Sequence, residues 1–230
     1  MAFLQDTRRE PMFKVPAVVL ALIALIVAAH LARVWLLSAP AADAVAAQYG
    51  FVPLRYAPGA GSLFERIVPL FSHIFVHVDA MHLTINCLWL LAFGPGVARR
   101  YGPAAFLLFF FVCGVASAAT HLAFHWGDER VVVGASGAIS GLMAAGIRIL
   151  RPPPLPPSTA LMPILSAQVM AFSAFWVAIN LVAGFLGLEF LGDQYQSAWQ
   201  GHLGGYFAGL LLCAPFDRLV GLESERAVPN

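Results

Sequence analysis

Charged residues are scarce in this sequence, and their scarcity excludes most classes of soluble protein. Lys, Arg, Asp and Glu make up 11% of the 230 residues and hydrophobic residues make up 60%, whereas about 25% charged residues is usual for a soluble domain. The mean hydropathy is +0.79. A formal net charge of +1 argues against a nucleic-acid partner. The composition therefore predicts a chain that lies in a lipid bilayer.

Cysteine is also scarce. Cys87, Cys113 and Cys213 lie inside apolar segments, at spacings that suit neither a disulfide framework nor a zinc site. We interpret them as small buried hydrophobic side chains. Because no internal repeat and no soluble second domain is recognised, we expect a single membrane domain over residues 1–230.

The sequence has six long apolar segments, and a hydrocarbon core about 30 Å thick requires roughly 20 apolar residues per helix. They predict an all-α polytopic membrane protein, a bundle of six transmembrane helices. The predicted spans lie at about 15–37, 81–98, 103–124, 135–150, 164–188 and 200–220. The first span follows a short cytoplasmic N-terminus of about 1–14 and lacks a small-residue cleavage site, so we interpret it as an anchor. The proline-rich "RPPPLPP" is interpreted as a stiff cytoplasmic linker.

Basic residues are unevenly distributed between the connections. Nine of the 13 lysine and arginine residues fall in the N-terminus, the C-terminus and the connections after the second and fourth spans. The other side of the membrane has Arg33, Arg55, Arg66 and Arg130. This asymmetry predicts that both termini are cytoplasmic. We expect the bacterial inner membrane, because the N-terminus lacks the composition of a transit peptide; the membrane of a eukaryotic organelle is the alternative.

Acidic residues are expected to be absent from the spans, since we interpret all 12 Asp and Glu residues as belonging to loops or tails. That absence excludes the carboxylate chains of many proton-coupled pumps and leaves a buried histidine without an obvious acidic partner. A transporter of small molecules or metals is an alternative. It would require charged residues at the midplane or repeated halves, and neither is recognised.

Histidines and an asparagine cluster around the start of the second span, as His73, His77, His82 and Asn86. On a helix, His82 and Asn86 share one face about a turn apart. Loop and capping hydrogen bonds for His73 and His77, and an interhelical hydrogen bond for Asn86, are the alternatives to a functional role. Imidazoles at this spacing can also converge on zinc or copper. No Glu lies between them as in a zinc-protease helix, so we predict no metal and no other cofactor.

The fourth span opens on "GASG" and is short. From Ser136 to Leu150 its 15 residues cover only about 22 Å, less than the thickness of the bilayer. Arg148 and Arg151 hold its C-terminal end on the cytoplasmic side. The deficit therefore lies on the outer side, where irregular backbone must line a cavity. We expect Ser136 in a pocket below the outer surface.

Small residues form a stripe on each of two spans, and such stripes allow close contact between helices. The stripes consist of Gly137, Gly141 and Ala145 on the fourth span and of Gly205 and Gly209 on the sixth. His202 shares a face with the sixth-span stripe, so packing along the stripes would bring His202 beside Ser136. A serine next to an imidazole can lose its proton and become a nucleophile.

Three motifs in this sequence resemble those of the rhomboid intramembrane serine proteases. They are "GASG" with Ser136, "HLGGYFAG" with His202, and "HIFVHVDAMHLTIN" with the three histidines and Asn86. The resemblance covers nearly the whole chain, with the motifs in the expected order. It implies a six-helix bundle in which Ser136 attacks a peptide bond. His202 would act as general base and then general acid, in a dyad without a carboxylate.

The resemblance also implies an oxyanion hole made of His82, Asn86 and the Ser136 backbone N–H, with His73 and His77 supporting the outer loop. Substrates are expected to be single-span membrane proteins whose helices unwind at Gly, Pro or polar residues. We expect entry beside the fifth span, where ordinary lipid-facing aromatics are the alternative to a gate. The gate residues would be Phe172, Phe175 and Trp176.

The sequence departs from the family pattern at two places. Val68 and Pro69 replace a Trp-Arg pair that some members carry before the position of His73, which leaves the anchor of the outer loop unassigned. Ser140 stands where some relatives have an aromatic that packs on the catalytic histidine, so we expect water or the Ser140 hydroxyl to orient His202. The alternative function is a catalytically inactive relative that binds membrane clients. Such a protein would lack Ser136 or His202, and both are present.

Overall fold

The computed structural model describes residues 15–150, 160–186 and 198–222. In these ranges the chain is helical apart from loops and one isolated bridge between Phe51 and Val132, which confirms the all-α prediction. The predicted N-terminal segment and the "RPPPLPP" linker lie outside the described residues.

Five long helices correspond to the six predicted spans, because one of them covers two. These helices are α1 (Ala17–Leu36), α5 (Ala80–Phe124), α6 (Ser136–Ile149), α7 (Ala167–Phe185) and α8 (Trp199–Leu219). The outer connection contains α2 (Ala39–Tyr49), α3 (Leu63–Ile67) and α4 (Pro69–Ser72), with 3-10 turns at Pro53–Tyr56 and His73–Phe75. α1, α5 and α7 are long and apolar enough to cross a membrane, and α6 is a shorter apolar helix.

α5 reverses direction at Gly102. This residue has φ 76° and ψ 169°, a region open mainly to glycine, and Pro103 suits the first position of the helical segment that follows. A β-carbon placed on Gly96, before the reversal, would lie 3.8 Å from Leu150 at the C-terminal end of α6. After the reversal, Ser117 packs against Gly137 at the opposite end of α6. The two halves are therefore antiparallel, and a single residue replaces the four-residue connection that we predicted.

α6 and α8 pack backbone to backbone along the predicted glycine stripes. A β-carbon placed on Gly205 would lie 2.0 Å from the Gly137 carbonyl oxygen, and one placed on Gly209 would lie 2.2 Å from the Gly141 carbonyl oxygen. The second half of α5 closes the third side of this centre, since a β-carbon on Gly141 would lie 2.4 Å from Cys113 Sγ. This contact fixes the relative height of α6 and α8.

α1 and α7 pack on the outside of the central helices. α1 runs antiparallel to the first half of α5, with Val19 against Gly94 at one end and Arg33 against His77 at the other. α7 packs against α8, where the hydroxyls of Ser173 and Tyr206 lie 2.8 Å apart. The start of α1 and the end of α8 consequently lie at the same end of the bundle.

Asp217 contradicts our expectation that the acidic residues lie outside the spans. It lies inside α8 with 1% of its surface exposed, and it forms a bidentate ion pair with Arg100. Arg100 Nε lies 2.7 Å from Asp217 Oδ1, and the second guanidinium contact measures 2.6 Å. A buried carboxylate requires such a partner. Because Asp217 follows His202 by about 22 Å of helix, this pair holds the end of α8 to α5 and does not contact the histidine.

Arg33 at the end of α1 anchors the outer connection. Its guanidinium donates to the carbonyls of His77 at 2.7 Å, Val78 at 3.3 Å and Ala42 at 3.4 Å. Within the connection, Arg66 Nε donates to the Arg55 carbonyl at 2.8 Å. Arginine–carbonyl hydrogen bonds therefore anchor the segment that lacks the Trp-Arg pair.

Candidate active site

Ser136 and His202 come together at the N-terminal ends of α6 and α8. His202 Nε2 lies 2.8 Å from Ser136 Oγ. Ser136 is the first residue of α6, and His202 lies in the first turn of α8, one turn before Gly205. The close contact of Gly205 with Gly137 therefore sets the two side chains at the same height.

A small cavity lies behind the Ser136–His202 pair. Its volume is about 10 Å³, which is about the space that one water molecule requires. The polar side chains in its wall, besides Ser136 and His202, include Ser117, His121 and His73. Both ring nitrogens of His121 are buried without a hydrogen-bond partner in the described residues. The lining therefore suits a single hydrogen-bonded water beside the serine.

A larger cavity of about 460 Å³ lies in front of Ser136. Its walls come from the first half of α5, from α6 and from α7, and they are largely apolar. Met81 on α5 and Ile179 on α7 line it and are 66% and 47% exposed. Its mouth therefore lies between α5 and α7, on the surface that would face lipid.

His82 and Asn86 also line the larger cavity, together with Ser136 and His202. A β-carbon placed on Gly134 would lie 2.7 Å from the His82 ring, and the φ of Gly134 is 114°. A glycine two residues before Ser136 thus allows the imidazole to pack on the backbone; the "GASG" motif indicated this residue, but we assigned it no role. Asn86 Nδ2 donates to the His82 carbonyl at 2.9 Å.

His73 and His77 lie in the outer connection, next to the "GASG" segment. His73 Nδ1 donates to the Pro69 carbonyl at 2.7 Å, and the His73 carbonyl accepts from the Gly134 N–H at 2.9 Å. Burial lowers the pKa of His73 to about 4, and burial together with the neighbouring His82 lowers the pKa of His77 to about 3. Both rings are therefore neutral near pH 7. In the described ranges no group of three or more His, Cys, Asp or Glu residues is arranged to hold a metal ion.

Asn180 on α7 is a polar residue of the site that the sequence analysis missed. Its Oδ1 lies 2.9 Å from His202 Nδ1. The Ser140 hydroxyl, which we expected near His202, donates instead to the Ser136 carbonyl at 2.8 Å. An asparagine inside an apolar span is a signal in its own right, because polar side chains in a membrane are costly.

The three aromatic residues predicted to form a gate differ in their surroundings. Phe175 is 60% exposed and does not line the larger cavity. The rings of Phe172 and Trp176 each lie 6.4 Å from the ring of Tyr206 on α8. Of the three, Trp176 lines the larger cavity. Of the three predicted gate residues, Trp176 is therefore the best placed to control access to the larger cavity.

Several known proteins are similar to this chain in sequence. A sequence profile described as the Rhomboid domain matches residues 65–218. The chain is 32% identical over 87 residues to rhomboid protease AarA of Providencia stuartii, a match that covers 32% of this chain and 31% of AarA. It is 27% identical over 157 residues to rhomboid protease GlpG of Yersinia pestis, covering 67% of this chain and 50% of GlpG. The matches thus span half or less of the length of these relatives.

Proposed function

The chain belongs to the rhomboid family of integral membrane proteins, and from this premise we propose that it is a serine endopeptidase that cleaves membrane proteins within their transmembrane segments. The observation that carries the proposal is the 2.8 Å contact between His202 Nε2 and Ser136 Oγ. This distance supports the proposal, because a general base must lie within hydrogen-bond reach of the nucleophile that it activates. The larger cavity beside the pair, which opens toward lipid, would admit a membrane substrate.

In the first half of the reaction, Ser136 Oγ attacks the carbonyl carbon of the substrate peptide bond. The hydroxyl proton passes to His202 Nε2, and the carbonyl oxygen becomes an oxyanion. When the carbon–nitrogen bond breaks, His202 returns the proton to the leaving amine, and an ester to Ser136 remains. No carboxylate is needed for this proton balance.

The oxyanion is stabilised by hydrogen bonds from groups at the start of α5 and α6. We assign this role to the Ser136 backbone N–H, the Asn86 amide and the His82 ring. Asn86 Nδ2 has two N–H groups, and its bond to the His82 carbonyl uses one of them. The other is available to an oxyanion in the larger cavity that both side chains line.

In the second half of the reaction, water attacks the ester carbonyl while His202 takes a proton from it. His202 then returns this proton to Ser136 Oγ as the carbon–oxygen bond of the ester breaks, and the acid product leaves. The small cavity supports this step, since it fits about one water molecule beside Ser136. A membrane site requires such a polar recess, because the surrounding hydrocarbon contains almost no water.

The substrate is a transmembrane helix that enters between the first half of α5 and α7. Backbone hydrogen bonds protect the peptide bonds of an intact helix, so a substrate must unwind to place one at Ser136. Glycine, proline or polar residues near the cut weaken the helix and favour this step. We propose single-span proteins as the substrate class.

The proposal is tested by co-expressing the chain with a panel of tagged single-span proteins, some of which carry Gly or Pro near the membrane centre. We expect cleavage of the helix-weakened members with the wild-type chain and none with Ser136→Ala. A fluorophosphonate probe should label Ser136 in the purified wild-type protein. Clients that co-purify uncleaved, together with an absence of labelling, would support the inactive, client-binding alternative instead.

Asn86→Ala is expected to lower the rate of cleavage by about 10²-fold, because it removes one donor to the oxyanion while two remain. The loss corresponds to about 3 kcal/mol in the transition state. Initial rates measured in liposomes test this. Thr84→Ala, an exposed residue of the same helix whose hydroxyl bonds to the Ala80 carbonyl, is the matched control and should cleave normally. Equal rates for the two variants would remove Asn86 from the oxyanion hole.

We also propose that the active-site end of the bundle faces away from the cytoplasm, in a bacterial inner membrane with both termini cytoplasmic. In a background without the three native cysteines, Glu129→Cys should react with an impermeant maleimide in intact cells. Arg99→Cys, at the opposite end of the bundle, should react after permeabilisation. The reverse pattern would place Ser136 nearer the cytoplasm and overturn this orientation. Both positions are exposed.

A further inference from the structure

Asn180 lies on the lipid-exposed helix α7 and contacts the His202 ring. Its side chain is 5% exposed. Asn180 and Val169 are the two buried residues of α7. A buried amide in a membrane helix is costly unless its donors and acceptors are used. The hydrogen bonds of Asn180 therefore indicate what the residue does.

Two hydrogen bonds fix the orientation of the Asn180 amide. One partner is the Trp176 carbonyl, 2.8 Å away, and a carbonyl can only accept. The amide nitrogen must therefore face Trp176, which directs Oδ1 toward His202 Nδ1 at 2.9 Å. An amide oxygen can only accept, so Nδ1 of His202 carries a hydrogen.

This hydrogen determines the tautomer of the imidazole. A neutral imidazole has one N–H, so a hydrogen on Nδ1 leaves Nε2 with a free lone pair. Nε2 is the atom that lies 2.8 Å from Ser136 Oγ. In this tautomer Nε2 accepts the serine proton; in the other it would present an N–H to Ser136 and could not act as a base.

We infer that Asn180 is a positioning residue, which holds His202 in the tautomer and orientation that activate Ser136, and that the site works as a Ser–His–Asn unit with its third member on α7. This inference rests on the proposed protease function. It concerns a residue that never contacts the reacting atoms and acts through the imidazole alone. It also accounts for His202 being oriented without an aromatic at position 140.

The test compares two substitutions of Asn180 that separate hydrogen bonding from packing. Asn180→Leu keeps the branched shape and the number of heavy atoms of the side chain but removes the acceptor, whereas Asn180→Asp keeps an acceptor oxygen facing Nδ1. Val182→Leu, on the same helix at a position that is 50% exposed, is the matched control. For each variant, kcat and KM are measured on a cleaved panel substrate, and the rate of fluorophosphonate labelling of Ser136 is measured without substrate. Monodisperse protein is selected by gel filtration, so that misfolded material is not counted.

We expect Asn180→Leu to lower kcat by up to about 10²-fold, the loss that a small misplacement of a catalytic group can cause, with KM little changed. Labelling should slow by a similar factor. Asn180→Asp should retain most of the wild-type kcat and most of the wild-type labelling rate. Val182→Leu should behave as wild type. A fully active Asn180→Leu, or an effect on KM alone with normal labelling, would overturn the positioning role while leaving the protease intact. A wild-type protein that neither cleaves nor is labelled would overturn the proposed function, and this inference with it.

Discussion

Ser136→Ala is expected to reduce cleavage by at least about 10⁴-fold, and His202→Ala should reduce it to the same level. In the proposed mechanism the two residues act as one unit, because the proton that Ser136 loses is the one that His202 accepts across the 2.8 Å contact. Either change removes the whole nucleophilic path, so the double variant should be no slower than the single ones. Initial rates in liposomes measure this effect.

A control separates this loss from unfolding. Ser38→Ala removes an exposed serine before α2 that makes no side-chain capping bond, and it should retain wild-type rates. Ser136→Ala should unfold thermally near the wild-type temperature, since the α6–α8 contact is unchanged. Substantial cleavage by a well-folded Ser136→Ala would contradict the assignment of the nucleophile. A double variant much slower than either single one would indicate that the two residues act independently.

Gly205→Ala is expected to cause the largest loss of stability. Its β-carbon would lie 2.0 Å from the Gly137 carbonyl oxygen, and a backbone atom cannot move aside as a side chain can. α6 and α8 must separate, so we expect a loss at or above the upper end of the about 1–3 kcal/mol typical of overpacking. Cleavage should fall as well, because the separation moves His202 away from Ser136. Thermal unfolding in detergent measures the first effect.

Gly96→Ala is the matched control for this change. A β-carbon there would lie 3.8 Å from Leu150, which is ordinary van der Waals contact. Alanine is also favoured over glycine in a helix by about 1 kcal/mol, so this variant should be as stable as wild type or slightly more so. Equal unfolding temperatures for Gly205→Ala and Gly96→Ala would contradict the close contact of α6 with α8.

The positions of the long helices could be predicted from the sequence because membrane spans are encoded locally, by the length of apolar runs. The glycine stripes predicted which faces meet, since small residues at helical spacing have few other uses in a span. The turn at Gly102 was predicted as a longer connection. Hydropathy falls at the arginines before it, although the helix continues through them to Tyr101.

The features that were missed depend on long-range partners. Nothing near Arg33 in sequence indicates that its guanidinium bonds to the His77 carbonyl, 44 residues away. Asp217 was counted among the loop and tail residues although the predicted sixth span of about 200–220 includes it, and its partner, Arg100, lies 117 positions earlier. Asn180 is a polar residue inside a predicted span, and such residues are functional candidates because they are costly in a membrane. Its role became apparent only when the fold placed it beside His202.

The burial pattern of α7 has a consequence for the thermodynamics of the site. Asn180 and Val169 are the buried residues of this helix, so the bond from His202 to Asn180 links the position of the helix to the orientation of the imidazole. Interhelical hydrogen bonds in membranes contribute about 0.6–1.7 kcal/mol, or roughly a 3- to 20-fold change in a population. Linkage is reciprocal: moving α7 outward releases the ring, and turning the ring away makes that movement easier by the same factor. A hydrogen bond of this strength favours the packed position of α7 and the oriented His202 ring, but it leaves the other position of the helix accessible.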